Sequence, residues 1–114
     1  MKIYISLLLL ISHVTYAQLS GQIALDKRKI ETNIPYTING TKTGKFVFEI
    51  SVNVDGKVTG CVLLTDQSTV VSTPLMVKAK NQILTGLKFE RSYTSPEFHK
   101  GIVTIVVVKE TTAP

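Results

Sequence analysis

Two side chains have the chemistry of a nucleophile and its base, the thiol of Cys61 and the imidazole of His99. The chain has one cysteine and two histidines, and the other histidine, His13, lies in an apolar N-terminal stretch. No spacing pattern links Cys61 to His99, which we expect to be a solvated loop residue. Zinc sites draw on several Cys and His ligands, which this inventory does not supply. A thiol-dependent enzyme is therefore disfavoured.

Other chemical motifs are also missing from the sequence. Asn53-Val54-Asp55-Gly56 is similar to the start of a calcium loop, but the required downstream Glu is absent and a hairpin turn explains the motif. The carboxylates follow no pairing pattern, and there is no phosphate loop or nucleophile elbow. We expect a binding or structural module with no enzymatic activity, no cofactor, no metal and no small-molecule substrate.

Composition predicts one small globular domain. The chain has 114 residues, of which 44% are hydrophobic and 18% charged, and its formal net charge is +5. Lys27-Arg28-Lys29 is the only basic run, and no aromatic residues are interleaved with it. We therefore expect a basic solvated surface and no nucleic-acid binding.

Met1 to Ala17 has the pattern of a secretory signal peptide. Lys2 is followed by the apolar run Ile3 to Ile11, and Thr15-Tyr16-Ala17 offers small residues at a cleavage site. Cleavage before Gln18 removes one lysine and lowers the net charge from +5 to +4. The predicted location is the periplasm. The alternative is an uncleaved anchor in the inner membrane, although a spanning helix needs about 20 apolar residues.

The best-specified structure is a β-hairpin over residues 44–64. Asp55-Gly56 marks its turn, because Gly accepts positive φ. A three-residue loop pairs Val52 with Val58 and Phe48 with Val62, whereas a two-residue loop pairs Val52 with Thr59. We expect the three-residue loop, because a slip of one residue moves every side chain to the other face.

That register places Cys61 on the outward face of the second strand. The lone cysteine cannot form an internal disulfide, so we expect a small, semi-buried side chain, with an intermolecular bond as the alternative.

The remaining segments complete a small α+β domain. Residues 18–43 form an arm, either with a short helix or extended. Thr73-Pro74 starts an amphipathic helix that ends at Gly86. Ile102 to Val108 is a β-branched strand. We expect a three-stranded antiparallel or mixed sheet, in the order 2-1-3, with one or two helices packed on one face.

In this order the last strand lies on an edge of the sheet. Its backbone is therefore the candidate partner-binding site, formed by Ile102, Val103, Thr104, Ile105, Val106, Val107 and Val108.

The segments together resemble the C-terminal domain of TonB, the periplasmic energy transducer of Gram-negative bacteria. The resemblance rests on GKFVFEISVNVDGKVTGCVLL, on the helix from Pro74 to Leu84, on Leu87-Lys88-Phe89, where the family typically has Trp-Lys-Phe, and on the final strand. It covers about Thr43 to Lys109. The predicted organisation is a signal peptide (1–17), an arm (18–43), a TonB-like domain (44–110) and a tail (111–114).

The resemblance implies that an extended peptide of an outer-membrane receptor, or another periplasmic protein, adds as a strand to the last strand in energy-coupled transport. The chain departs from TonB because it shows no long Pro-rich spacer, and Ser12-His13 does not match the Ser-x-x-x-His spacing of TonB anchors. The alternative function is structural: two copies dimerise through their edge strands, with no receptor.

Overall fold

A computed structural model describes residues 18–109 of the chain. The predicted signal peptide, 1–17, and the predicted tail, 111–114, lie outside the described residues. The described part is α+β, with antiparallel strand pairing and two helices, as predicted. Its strands are β1 (Leu19–Ser20), β2 (Ile30–Thr32), β3 (Thr37–Gly40), β4 (Gly44–Val52), β5 (Val58–Leu63), β6 (Lys88–Phe89) and β7 (His99–Lys109), and its helices are α1 (Gln22–Leu25) and α2 (Thr73–Gly86).

The β4–β5 hairpin forms where it was predicted, with the predicted loop of Val54-Asp55-Gly56. The amide of Gly56 donates to the carbonyl of Asn53 at 3.0 Å, and the amide of Asn53 donates to that of Lys57 at 3.0 Å. Gly56 has φ 91°. The loop is a tight turn followed by a glycine in the left-handed region, a backbone conformation that a residue with a side chain would adopt only with strain.

The predicted register holds only next to the turn. Val52 pairs with Val58, but Ser51 pairs with Gly60, so Thr59 is an extra residue in a β-bulge. Beyond the bulge Phe48 faces Leu63 instead of the predicted Val62. The prediction that Cys61 points outward is therefore wrong.

Helix α2 also occupies its predicted segment. Its cap differs from the prediction: Ser72 precedes the helix and makes no side-chain capping bond, while Thr73 is already helical. The helix ends where the amide of Leu87 donates to the carbonyl of Ile83 at 3.1 Å. Ala79 and Ile83 are fully buried and belong to the single core.

The main sheet has five strands, where the sequence predicted three. Its order is β1-β7-β4-β5, and β3 also pairs with β7. β7 is antiparallel to β4 along nine pairs, from Gly44↔Val107 to Val52↔His99. The extra strands come from the arm, residues 18–43, which contains both the short helix and the extended segments that had been left open. β2 pairs with β6 in a second, two-stranded sheet.

One hydrophobic core joins these elements. It takes side chains from α1, α2, β6, the arm and the inner face of the main sheet. Its largest fully buried members are Phe46, Phe48, Phe89, Ile23, Ile50, Ile83, Leu87 and Ile105. Each Å² of apolar surface removed from water contributes about 25 cal/mol to the free energy of folding, so this core is the main source of stability.

Candidate functional site

The predicted partner-binding strand is not on an edge. β7 has β4 on one side and the chain's own arm on the other: Leu19 pairs with Val103, and Thr37 to Gly40 pair in parallel with Val106 to Lys109. Between these pairs the amide of Thr104 donates to the carbonyl of Gln18 at 3.0 Å, and that of Val106 to Tyr36 at 2.9 Å. The edge assignment of Ile102 to Val108 is therefore wrong.

The side chains of that strand have mainly structural positions. Val103, Ile105 and Val107 are completely buried, and Thr104 is buried on the opposite face. Ile102 and Val106 are half-buried, and Val108 is 38% exposed. A partner peptide could reach the β7 backbone only after β1 or β3 had left.

β5 forms one edge of the main sheet, and the short strands β1 and β3 form the other. Among residues 18–109 no strand pairs with the outer side of β5. The amide of Leu64 donates to the carbonyl of Val47 at 2.7 Å. Because inward and outward backbone groups alternate along an antiparallel strand, those of Leu63 and Cys61 point away from β4. A partner strand would find their amides and carbonyls there.

The two faces of β5 differ. On the inner face Cys61, only 5% exposed, is buried in the core beneath α2. On the outer face Val62 lies opposite Glu49 and is 61% exposed. The prediction of a semi-buried cysteine thus underestimates its burial. A partner strand on β5 would cover the side chain of Val62.

A pocket of about 220 Å³ lies beside the end of β5. It is lined by the end of the hairpin, by the connection to α2 and by the first turn of α2. Its apolar members are Phe46, Leu63, Val70, Val71 and Met76, and its polar members are hydroxyl side chains. The pocket could therefore hold an apolar side chain.

A separate polar cluster joins the α1–β2 turn to β7. His99 is fully buried, which contradicts the expected solvated loop residue. Its Nε2 lies 2.7 Å from Oδ2 of Asp26, and its Nδ1 lies 3.4 Å from Nη1 of Arg28. Because a carboxylate only accepts and a guanidinium only donates, Nε2–H donates to Asp26 and Nδ1 accepts from Arg28.

Arg28 also joins the hairpin turn to Glu90, the residue directly after β6. Nη2 donates to the carbonyls of Asn53 at 2.8 Å, Val54 at 3.3 Å and Glu90 at 3.1 Å, and Nε donates to Glu90 at 3.3 Å. Burial lowers the pKa of Arg28 from its ordinary value. Sequence reasoning missed this role. Its only signal was the basic run, which was interpreted as a solvated surface.

Cys61 and His99 do not form a nucleophile–base pair. Both ring nitrogens of His99 are engaged with Asp26 and Arg28. Burial raises the pKa of the Cys61 thiol to about 11, although the positive charge of Lys80 acts in the opposite direction. A thiol with so high a pKa is a poor nucleophile at neutral pH.

We expect Cys61 to be almost inert in the folded protein. At pH 8 a soluble disulfide reagent should label it roughly a hundredfold more slowly than in the protein unfolded in urea, because the thiolate is scarce and buried. Absorbance of the released thiolate measures both rates. Equal rates in the two states would contradict the buried position.

Within residues 18–109 no group of three or more His, Cys, Asp and Glu side chains is placed to hold a metal ion. In the same segment no helix is both long and apolar enough to cross a membrane.

Comparison of the chain with protein-family models, with curated proteins and with solved structures finds no match.

Proposed function

We propose that the chain is a non-enzymatic protein-binding module of the periplasm that captures an extended peptide by strand addition. The observation that carries the proposal is the outer side of β5: among the described residues β5 pairs with β4 on its inner side and with no strand on its outer side. An added strand gains affinity through backbone hydrogen bonds and tolerates varied side chains. β1 and β3 cover the predicted Ile102 to Val108. Of the edge strands that remain, β5 with six residues is longer than β1 with two or β3 with four, and is therefore the better place for this addition.

The resemblance to TonB suggests which class of partner would bind. The hairpin, α2 and β7 follow one another along the chain, and β4 lies between β5 and β7 in the sheet. This arrangement is compatible with a TonB-like domain, to which the arm adds β1 and β3. On this proposal the partner is a segment of an outer-membrane receptor or another periplasmic protein. An uncleaved N-terminal anchor in the inner membrane is the alternative setting.

The surroundings of β5 suggest which peptide would bind. Alternate side chains of an added strand point to opposite faces of the sheet. On one face they would meet Val62, and on the other they would approach the pocket that contains Leu63 and Met76. The preferred peptide therefore carries apolar residues at alternate positions, with one long enough to enter this pocket.

The proposal predicts that Val62→Lys weakens peptide binding by roughly tenfold, because it replaces an apolar contact with a charge at the edge strand. The measurement is an NMR titration in which peptides from candidate outer-membrane receptors are added to the protein in the form that its native host produces. Amides of Val58–Leu63 should shift and saturate. Leu25→Lys is the matched control, since Leu25 is 76% exposed on α1 and belongs neither to β5 nor to the pocket beside it, so its replacement should leave the affinity unchanged.

Two other results would contradict strand addition at β5. Shifts confined to β7 together with loss of the β1 and β3 pairing would mean that the peptide displaces the arm. No saturable shift with any peptide, combined with a mass that doubles as concentration rises, would favour the structural alternative, in which two copies pair through β5. Analytical ultracentrifugation without peptide measures that mass.

A further inference from the structure

A polar cleft lies between the α1–β2 turn and the loop before β7, and strand addition at β5 does not involve it. Residues 26–29 form one wall and residues 90–96 the other, and the volume is about 490 Å³. Four cationic and two acidic side chains line it, together with three hydroxyls. They are Lys27, Arg28, Lys29, Arg91, Asp26, Glu90, Ser92, Thr94 and Ser95.

The charge of Arg28 in this cleft has no carboxylate partner. Within residues 18–109 Arg28 forms no ion pair: Asp55 pairs with Arg91, and Asp26 accepts a hydrogen bond from the neutral His99. Its Nε and Nη2 hydrogens go to backbone carbonyls, and Nη1 makes one contact with His99. A guanidinium has five N–H donors in all, so one Nη1 hydrogen remains for a ligand. A partly buried cation that no carboxylate contacts directly, in a cleft lined by four cationic and two acidic side chains, favours an entering anion.

The two lysines beside Arg28 strengthen this electrostatic argument. Neither Lys27 nor Lys29 makes a side-chain hydrogen bond or ion pair within residues 18–109. Lys27 has φ 55°. Its amide donates to Ala24 and the next amide to Ile23, the pattern of a helix C-terminus at which Gly is usual. Lys27 therefore has a left-handed backbone conformation, uncommon for a residue with a side chain, in the wall of the cleft.

We propose that this cleft binds a phosphate group, with the Arg28 guanidinium supplying the counter-charge and donor at the base and the Lys27 and Lys29 ammonium groups closing around it. The hydroxyls of Ser92 and Thr94 on the other wall can donate to further phosphate oxygens. The phosphate can come from a small phosphorylated molecule or from a phospholipid headgroup, since both present the same oxygens. Asp26 leaves the Arg28 guanidinium accessible, because its two carboxylate oxygens accept from His99 and Gln22 and neither contacts Arg28 directly.

The test is an NMR titration in which inorganic phosphate is added to the protein in the form that its native host produces. The amide signals of residues 27–29 and 92–95 should shift and reach saturation. The double variant Lys27→Gln/Lys29→Gln should weaken the apparent affinity about tenfold, because it removes two charges next to the ligand. Arg28 is left intact because its removal also disturbs the fold.

The control is Lys57→Gln/Lys78→Gln, which changes the net charge equally on exposed surface outside this cleft. It should keep the affinity within about twofold. An equal loss in both double variants would show general charge attraction and overturn the site, as would shifts that do not saturate or that fall elsewhere.

A second arm of the experiment identifies the source of the phosphate. Vesicles of phosphatidylglycerol and phosphatidylcholine are sedimented with each variant. Retention that the cleft variant alone loses supports a lipid headgroup, and saturable phosphate binding without retention supports a soluble phosphorylated ligand. Absence of both would overturn the proposal. Because β5 lies outside the cleft, peptide binding there can succeed or fail independently.

Discussion

Replacement of Gly56 by alanine is expected to destabilise the domain by about 3 kcal/mol or more. At φ 91° an L side chain is strained. A Cβ at this position would also overlap the backbone carbonyl oxygen of Phe89. The turn and β6 are tied together, since the amide of Phe89 donates to the carbonyl of Gly56 at 2.8 Å. The overlap therefore has to be relieved by moving backbone that the core holds in place.

The matched control for this substitution is Gly60→Ala in the same hairpin. A Cβ there would lie 3.5 Å from the side chain of Ser51, an ordinary contact, and Gly60 is not in the left-handed region. Its replacement should leave the stability unchanged or raise it by about 0.5 kcal/mol. Urea unfolding followed by circular dichroism measures both variants. A Gly56→Ala midpoint equal to that of the parent would show that the turn does not dock on Phe89.

Replacement of Arg28 by methionine is expected to cost about 2–3 kcal/mol of unfolding free energy. The guanidinium joins the hairpin turn at Asn53 and Val54 to Glu90, which are distant in sequence, and it contacts His99. Methionine retains the apolar stem but none of the donors. The carbonyls lose charge-assisted hydrogen bonds, and the neighbouring His99 loses one of its two polar partners.

Arg91→Met is the control for this change. Arg91 belongs to the same cleft wall and pairs with Asp55 at 3.3 Å, but both side chains are largely exposed. Exposed ion pairs contribute little to stability, so this variant should unfold close to the parent. Urea unfolding of the two variants, measured side by side, gives the two midpoints to be compared. Equal midpoints for the two methionine variants would show that Arg28 is not a structural clamp.

The parts of the fold that could be predicted from the sequence are those whose signal is local. The alternation of apolar residues in β4, the left-handed turn at Gly56 and the helical spacing that ends at Gly86 all lie within a few residues of the structure they specify. The pairing of β7 with β4 could also be predicted, because the rules for connections between neighbouring elements leave few topologies for a hairpin, a helix and a further strand.

The failures involve contacts between distant residues. Nothing local marks Thr59 as an extra residue, and this single bulge moves Cys61 from the outer face to the core. The edge of β7 was misjudged because the partners of β1 and β3 lie more than sixty residues away along the chain.

The polar cluster was missed for the same reason. His99 gains its buried environment only when Asp26 and Arg28 are brought to it from the other end of the described segment. In the sequence these residues look like exposed loop positions. The open edge at β5 and the cleft around Arg28 therefore became visible only in the folded chain.

The position of β7 has a consequence for the order of folding. It is the last of the described strands along the chain, yet it lies between β4 on one side and β1 and β3 on the other. During synthesis the earlier strands emerge before the strand that pairs with β4 on one side and with β1 and β3 on the other, so the main sheet cannot be completed until β7 appears. High contact order slows folding. Because the pairings of β7 with β1 and β3 join residues that are distant along the chain, we expect the sheet to be completed late in folding.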